Sequence, residues 1–362
     1  MHATLHRAAL HYGGELVLHT AASGSVDHLD ALYLRLVDDG VSAVGEVRIN
    51  IAYLNGYAAE ALVEEARAAL ARIDWSRGAR ALLDDASAAF GSYSAPVRTL
   101  IDSALHDLLG KRMRMSVAAL HGAQPSGAPS FRSNQTLFWS SDEVMVARAA
   151  RYLERGFNEL KLRVGIAEFA DDLRRIDLLR SHFGTRVILS VDANGTWRPE
   201  DCESRLAALA MRGVEYVEQP LAAGDWESLR RIARASPLTL MLDESLQSAA
   251  DIDMLCGFAG MPIAAHLKLV KLGGIAATMA AGRKLKTAGI ALMIGQMNEG
   301  AAATAAALQV CCALAPRWAE LYGADGIADD PARGVTYRDG IASVMHASGL
   351  GIEFDALSTQ SL

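Results

Sequence analysis

The rhythm of apolar positions along the chain changes near residue 130. Before it, TLHRAALHY, ELVLHTA and HLDALYLRLVDDG followed by GEVRINI alternate as an antiparallel meander would. YAAEALVEEARAALARI and APVRTLIDSALHDLLGKRM carry the longer period of helices. After it, short apolar runs rich in β-branched residues alternate with helical runs. The apolar runs are SFRSNQTLFW, NELKLRV, RVILSVDAN, VEYVEQP, LTLMLDES, AAHLKLV, IALMIGQM and RWAELYG. Between them lie helix candidates such as EFADDLRRIDLLRSHF, ESLRRIARA and ATMAAGRKLKTA. The stretch from Ser140 to Glu143 (SSDE) resembles a capping box opening a helix that ends near Gly156.

Polar residues at the ends of these runs keep step. Arg163 to Asp192 is 29 residues, Asp192 to Glu218 is 26, and Glu218 to Asp243 and Asp243 to Lys268 are 25 each. A strand–helix–strand unit takes roughly 30 residues. Eight such units predict an α/β protein of the TIM type, a (β/α) barrel with its site at the C-terminal strand ends. A doubly wound open sheet would place its ligand at one switch point. Charged residues ending five successive strands favour closure instead. The expected division is an α+β domain over residues 1–125, the barrel over 126–325, and a C-terminal segment, 326–362, packing back on the first domain. HGAQPSGAPS, rich in Gly, Pro and Ser, is the expected linker.

Composition narrows the partners. The 362 residues carry a formal net charge of -7 without a long basic run, so nucleic acid is not an expected partner. No signal peptide is expected at MHATLHRAALHYGG, and no charge-free apolar stretch reaches 18 residues, so no membrane contact is expected either. Cys202, Cys256, Cys311 and Cys312 have no metal-binding spacing. A cytoplasmic enzyme with unreactive thiols is the resulting expectation.

Asp192, Glu218 and Asp243 end three consecutive strands. Brought together at a barrel mouth they would repel, and a hard divalent cation resolves that repulsion. An all-oxygen set suits Mg²⁺, with Mn²⁺ as an alternative, and zinc is disfavoured because no His or Cys accompanies the three acids. Lys161 and Arg163 share one strand face, and Lys268 ends a strand on the opposite side of such a barrel. A substrate carboxylate at the metal explains these cations. The chemistry served is proton removal beside a carboxylate, with the enolate stabilised by positive charge and a lysine as base.

These residues resemble the enolase superfamily, specifically the muconate-lactonising (muconate cycloisomerase-like) subgroup of the mandelate racemase/muconate-lactonising family. ELKLRVG, VDAN, VEQP, LDES, HLKLVKLGG, GQMNEG and the closing GLGIEF carry the resemblance, in the family's order and spacing, over nearly the whole chain. It implies a capping domain whose loops set specificity, Mg²⁺ held by Asp192, Glu218 and Asp243, and Lys268 as the acid/base of the sixth strand. Lys161 matches the first lysine of the family's Lys-x-Lys motif, and Arg163 stands where the second, the other acid/base, normally does. Glu299 matches a Glu that meets the substrate carboxylate, and Asn194 and Glu244 are expected to support the metal ligands. The mandelate racemase branch uses a seventh-strand His, and IALMIGQMNEG has none. Members acting on dipeptides carry Asp-x-Asp on the eighth strand, which here reads AELYGAD.

Arginine stays protonated, with a pKa above about 12, and is a poor base. One-sided chemistry, cycloisomerisation ahead of dehydration of a hydroxy acid, is therefore expected before racemisation or epimerisation. A barrel that binds without catalysis is the reading from another class. Tyr53 and Tyr57 in NIAYLNGY, and residues of TAASGSVDH, are candidate lid positions, against an ordinary turn. Trp139 is a candidate pocket residue, against ordinary packing. Lys271 reads as a solvated lysine and His266 as a strand residue inside or under the barrel. Homo-oligomers are common in the family, and one is expected here.

Overall fold

The computed structural model describes residues 1–13, 18–20, 24–52, 56–124 and 127–362. Eight parallel strands follow one another in chain order: Gln135–Leu137, Glu159–Arg163, Ile188–Asp192, Val214–Glu218, Thr239–Leu242, Ile263–Lys268, Ala291–Gly295 and Trp318–Glu320. They are called here the first to eighth barrel strands. The Asn134 amide donates to the Ala319 carbonyl at 3.0 Å, drawing the first strand to the eighth. The barrel is thus nearly closed.

Inward-facing residues explain why the strands tolerate charge. Tyr216, Met241, Ala264, Met293 and Trp318 form their own buried cluster. Two residues beyond four of them stand Glu218, Asp243, His266 and Glu320. Side chains two apart on a strand share a face. The apolar layer therefore plugs the barrel, and the polar layer lies above it toward the C-terminal ends. Outward-facing positions such as Leu189, Val217, Leu240, Leu267 and Ile294 pack against the surrounding helices in the main core.

A separate antiparallel sheet lies N-terminal to the barrel. His2–Leu10 pairs with Leu29–Asp38, which pairs with Val41–Arg48. Gln360–Ser361, from the C-terminal end of the chain, pairs with His6 and Arg7 at the sheet's other edge. Helix α1 (Ala95–Met113) packs on this sheet through Leu100, Ile101 and Ala104. Gly45 permits the approach, because a Cβ there would lie 2.1 Å from the Leu100 carbonyl oxygen.

One carboxylate of the sheet caps a barrel helix. Glu46 accepts from the backbone N–H groups of Gly300 at 2.6 Å, Ala302 at 3.0 Å and Ala303 at 3.1 Å. Asp330 accepts from Ala301 at 2.6 Å. Together they satisfy the N-terminal N–H groups of α2 (Ala301–Leu314), an Ala-rich helix with no side-chain cap of its own.

Two local readings shift. SFRSNQTLFW is two strands, because Ser130–Arg132 pairs with Ile341–Val344 of the C-terminal segment and only Gln135–Leu137 joins the barrel. The helix after it is capped by Ser141, whose Oγ accepts from Val144 N at 3.4 Å, so the cap sits one residue later than SSDE suggests. No helix among the described residues is long and apolar enough to cross a membrane. The four cysteines are free.

Candidate active site

The strand ends open into a cavity of about 430 Å³ whose polar lining includes Arg163, Asn194, Asp243, Glu244, Lys268 and Glu320. Each carboxylate on the third to fifth strands is held by two donors. Lys161 Nζ meets Glu218 Oε2 at 2.8 Å, and His266 Nδ1 meets Glu218 Oε1 at 2.8 Å. Lys268 Nζ meets Asp243 Oδ2 at 2.6 Å, and Lys271 Nζ meets Oδ1 at 2.5 Å. Arg163 Nη1 donates to Asp192 Oδ2 and, at 2.9 Å, to Asn194 Oδ1. The Asn194 amide donates to Asp192 Oδ1 at 2.9 Å. Asn194 Nδ2 donates to Glu244 Oε1 at 3.0 Å.

Backbone geometry supports this arrangement. Gln219, next after Glu218, has φ +35°, a costly conformation for a non-glycine residue. Its side chain compensates: Oε1 accepts from Asp243 N at 3.0 Å and Ser245 N at 3.2 Å, while Nε2 donates to Leu221 O and Ser245 Oγ, both at 2.8 Å. The VEQP motif thus stitches the fourth strand end to the fifth.

Burial and charge oppose one another throughout the cluster. Burial disfavours the Lys161 ammonium, but Glu218, Glu320 and Asp192 outweigh it and hold the group well above its usual range. Burial likewise opposes the Lys268 charge, and Asp243 outweighs it, so this lysine too is raised. Against its own burial, Asp243 is held well below the carboxylate range by Lys268 and Lys271. Burial pushes Asp192 up to about 6 despite Arg163. Glu244 rises to about 7 through burial and the Asp243 charge. His266 is driven well below its usual value by burial and Lys268, and is neutral. Buried carboxylates at this density suit a divalent cation, and oxygen donors are what Mg²⁺ takes.

The residues expected from the sequence are not all brought together. Glu299 is buried and does not line the cavity: its Oε2 accepts from Met297 N at 3.0 Å, and Arg48 of the antiparallel sheet and Lys268 are its charged neighbours. The loop turns the side chain back on its own backbone. Trp139 lies in a different surface groove with the Arg175 guanidinium 4.4 Å over its ring, because the chain leaves the barrel before reaching it. Tyr57 is 41% exposed and is not part of the cavity lining. Tyr53 and part of the 20–28 stretch lie outside the described residues.

Three residues take a larger part than the sequence suggested. Lys271 is 2% exposed, not solvated: the short helix Leu269–Leu272 turns it under the fifth strand end, where it also reaches Asp243 O at 2.5 Å. Glu320, the eighth-strand acid of AELYG, pairs with Lys161. His266 does accompany the acids, since it points inward two residues before Lys268. Glu218, Asp243 and His266 offer ligand atoms within 4.8 Å of one another, among the described residues. The i, i+2 rule signals His266 and Glu320 from the strand pattern alone. From the antiparallel sheet's side, Arg48 Nη1 donates to Met297 O at 2.8 Å and Tyr12 OH to Gly323 O at 2.6 Å, fixing loops at the mouth.

Residues 144–358 match the family described as "Enolase C-terminal domain-like". The chain belongs to the enolase superfamily. Within it, the chain falls in the muconate-lactonising-like subgroup of the mandelate racemase/muconate-lactonising family. It is 32% identical over 270 residues to a chloromuconate cycloisomerase of Pseudomonas putida, covering 73% of this chain and 71% of that one. It is 32% identical over 263 residues to an L-Lys-D/L-Arg epimerase of Methylococcus capsulatus, covering 71% and 72%. The solved dipeptide epimerase of Methylococcus capsulatus, complexed with Mg and L-Arg-D-Lys, superposes with a TM-score of 0.86 at 26% identity, covering 98% of this chain and 99% of that one. The chain is accordingly an enzyme of isomerase or lyase type acting on a carboxylate substrate.

Proposed function

We propose that the protein is a Mg²⁺-dependent, cycloisomerase-like enzyme that abstracts or delivers the proton α to a carboxylate from one face only. The observation carrying this reading is the unequal pair of cations in the cavity. Lys268 and Arg163 stand on the sixth and second of eight strands, opposite one another, and only the lysine becomes able to exchange a proton once the Asp243 charge beside it is offset. Arg163 is held protonated by Asp192 against its burial.

Asp192, Glu218 and Asp243 are the residues that would hold the ion. What Mg²⁺ supplies there is positive charge, which stabilises an enolate and offsets the Asp243 charge that keeps Lys268 protonated. Lys268 moves the proton at the α-carbon. Lys161 balances charge on the carboxylate end, and Arg163 binds negative charge on the far face. Mn²⁺ is expected to substitute. A dipeptide is disfavoured as substrate: Asp325, the acid nearest the eighth strand end after Glu320, is taken by Gln135 at 2.8 Å and Arg155 at 2.7 Å. We expect a cytoplasmic homo-oligomer divided near residues 125 and 325.

The test is hydrogen exchange at carbon. The protein with Mg²⁺ in D₂O is given N-acyl amino acids, sugar acids and unsaturated diacids, and deuterium and product are followed by NMR. Exchange with retention, or lactone formation, supports the reading. Inversion at the α-carbon favours an epimerase, and loss of water a dehydratase. A melting temperature unmoved by millimolar Mg²⁺ would sink the metal site, since a ligand of the native state raises stability.

A further inference from the structure

We infer that His266 is a positioning residue for the metal centre, its Nδ1–H fixing the carboxylate of Glu218 in the orientation the ion requires. The inference rests on the site proposed above and adds a residue to it. Glu218 is the middle acid of the three, and its two oxygens are taken by two different donors. Lys161 holds Oε2 and His266 holds Oε1, each at 2.8 Å. A carboxylate oxygen only accepts, so the proton is on Nδ1.

The imidazole has no freedom to do otherwise. It is 0% exposed, and its Nε2 has no hydrogen-bond partner among the described residues. That nitrogen abuts the seventh strand, where a Cβ on Gly295 would lie 2.1 Å from it. Gly295 thus provides the space in which the ring stands. A neutral N–H orients an acid without adding a full positive charge beside a dication, which the lysines on Asp243 and Glu218 cannot do. Groups that orient metal ligands in this way typically contribute tenfold to a hundredfold in metal affinity.

Titration calorimetry of Mg²⁺ into the purified protein tests it, with His266→Leu, His266→Asn and Gly295→Ala beside the wild type. The Asn carboxamide nitrogen stands where Nδ1 does and can donate the same bond. Affinity is expected to fall about tenfold to a hundredfold in His266→Leu and Gly295→Ala, and to stay within about threefold in His266→Asn. Unchanged affinity in His266→Leu, or equal losses in the Leu and Asn variants, would overturn the inference while leaving the proposed function standing. A ¹⁴N coupling to bound Mn²⁺ that vanishes in His266→Leu would make His266 a ligand and overturn the donor role. No Mg²⁺ binding by the wild type would remove the inference and the proposed site together.

Discussion

Replacing Lys268 with Met removes the lysine of the cavity lining while keeping an unbranched chain of similar length. The change is not expected to unfold the protein. Asp243 loses the ammonium at Oδ2 but keeps Lys271 at 2.5 Å on Oδ1. It also keeps the Gln219 bond to its backbone N–H at 3.0 Å. The carboxylate is therefore never left as an unpaired buried charge, the situation that costs about 3–5 kcal/mol. The catalytic cost is larger than the structural one. A positioned acid or base contributes about 10²- to 10⁴-fold, or about 3–5 kcal/mol of barrier at roughly 1.4 kcal/mol per tenfold. Arg163 across the cavity cannot take over, and Lys161 is committed to Glu218 and Glu320. The assay is deuterium exchange at the α-carbon, with Mg²⁺ held at saturation and measured against the wild type. Exchange in Lys268→Met within about tenfold of wild type would mean that the proton travels by another group, and the one-base argument would fail.

Arg163→Lys places a titratable amine on the second face, and inverted product is expected to appear from a substrate that wild type handles with retention. Chiral chromatography reads it, and strict retention in an active Arg163→Lys enzyme would show that Arg163 does not set the stereochemistry. Glu46→Ala strips three backbone N–H groups of α2 of their acceptor. With helix caps worth up to about 2 kcal/mol and three backbone donors left without their acceptor, about 3 kcal/mol is expected, read as a lower unfolding midpoint. An unmoved midpoint would mean that the sheet is not anchored there. Burial raises Asp330 from 3.8 to about 6, so the folded state binds its proton more tightly than the unfolded chain. Its contribution is full below about pH 4 and is lost as pH rises through about 6, and Asp330→Asn is expected to flatten the stability profile across that window. A profile equally steep in Asp330→Asn would assign the slope to other groups.

What was legible in the chain was whatever a strand writes locally. The barrel repeats one unit, so its strand-end acids recur every 25 or 26 residues, and alternation puts Lys161 beside Arg163 on one inward face. The same alternation carries His266 and Glu320, which the pattern contains but which read as ordinary strand residues until the barrel closes around them. Lys271 fails for another reason. A spacing of three after Lys268 says nothing about which way the chain turns, and the four-residue helix at Leu269 turns it inward. Glu299 differs in the opposite sense, since its motif matches while its loop folds the carboxylate onto Met297 N, a bond the motif does not announce. Least legible are the grips between the antiparallel sheet and the barrel. Glu46 and Gly300 are 254 residues apart, and Arg48 and Met297 are 249 apart. No local period couples such positions, because the bonds exist only once two independently patterned units have docked. Yet Arg48 holds the loop whose Met297 sulfur lies 3.3 Å from Lys268 Nζ. The sheet therefore reaches the proposed base through one backbone carbonyl and one side chain, and a change at Arg48 can act on chemistry in the sixth strand without touching it.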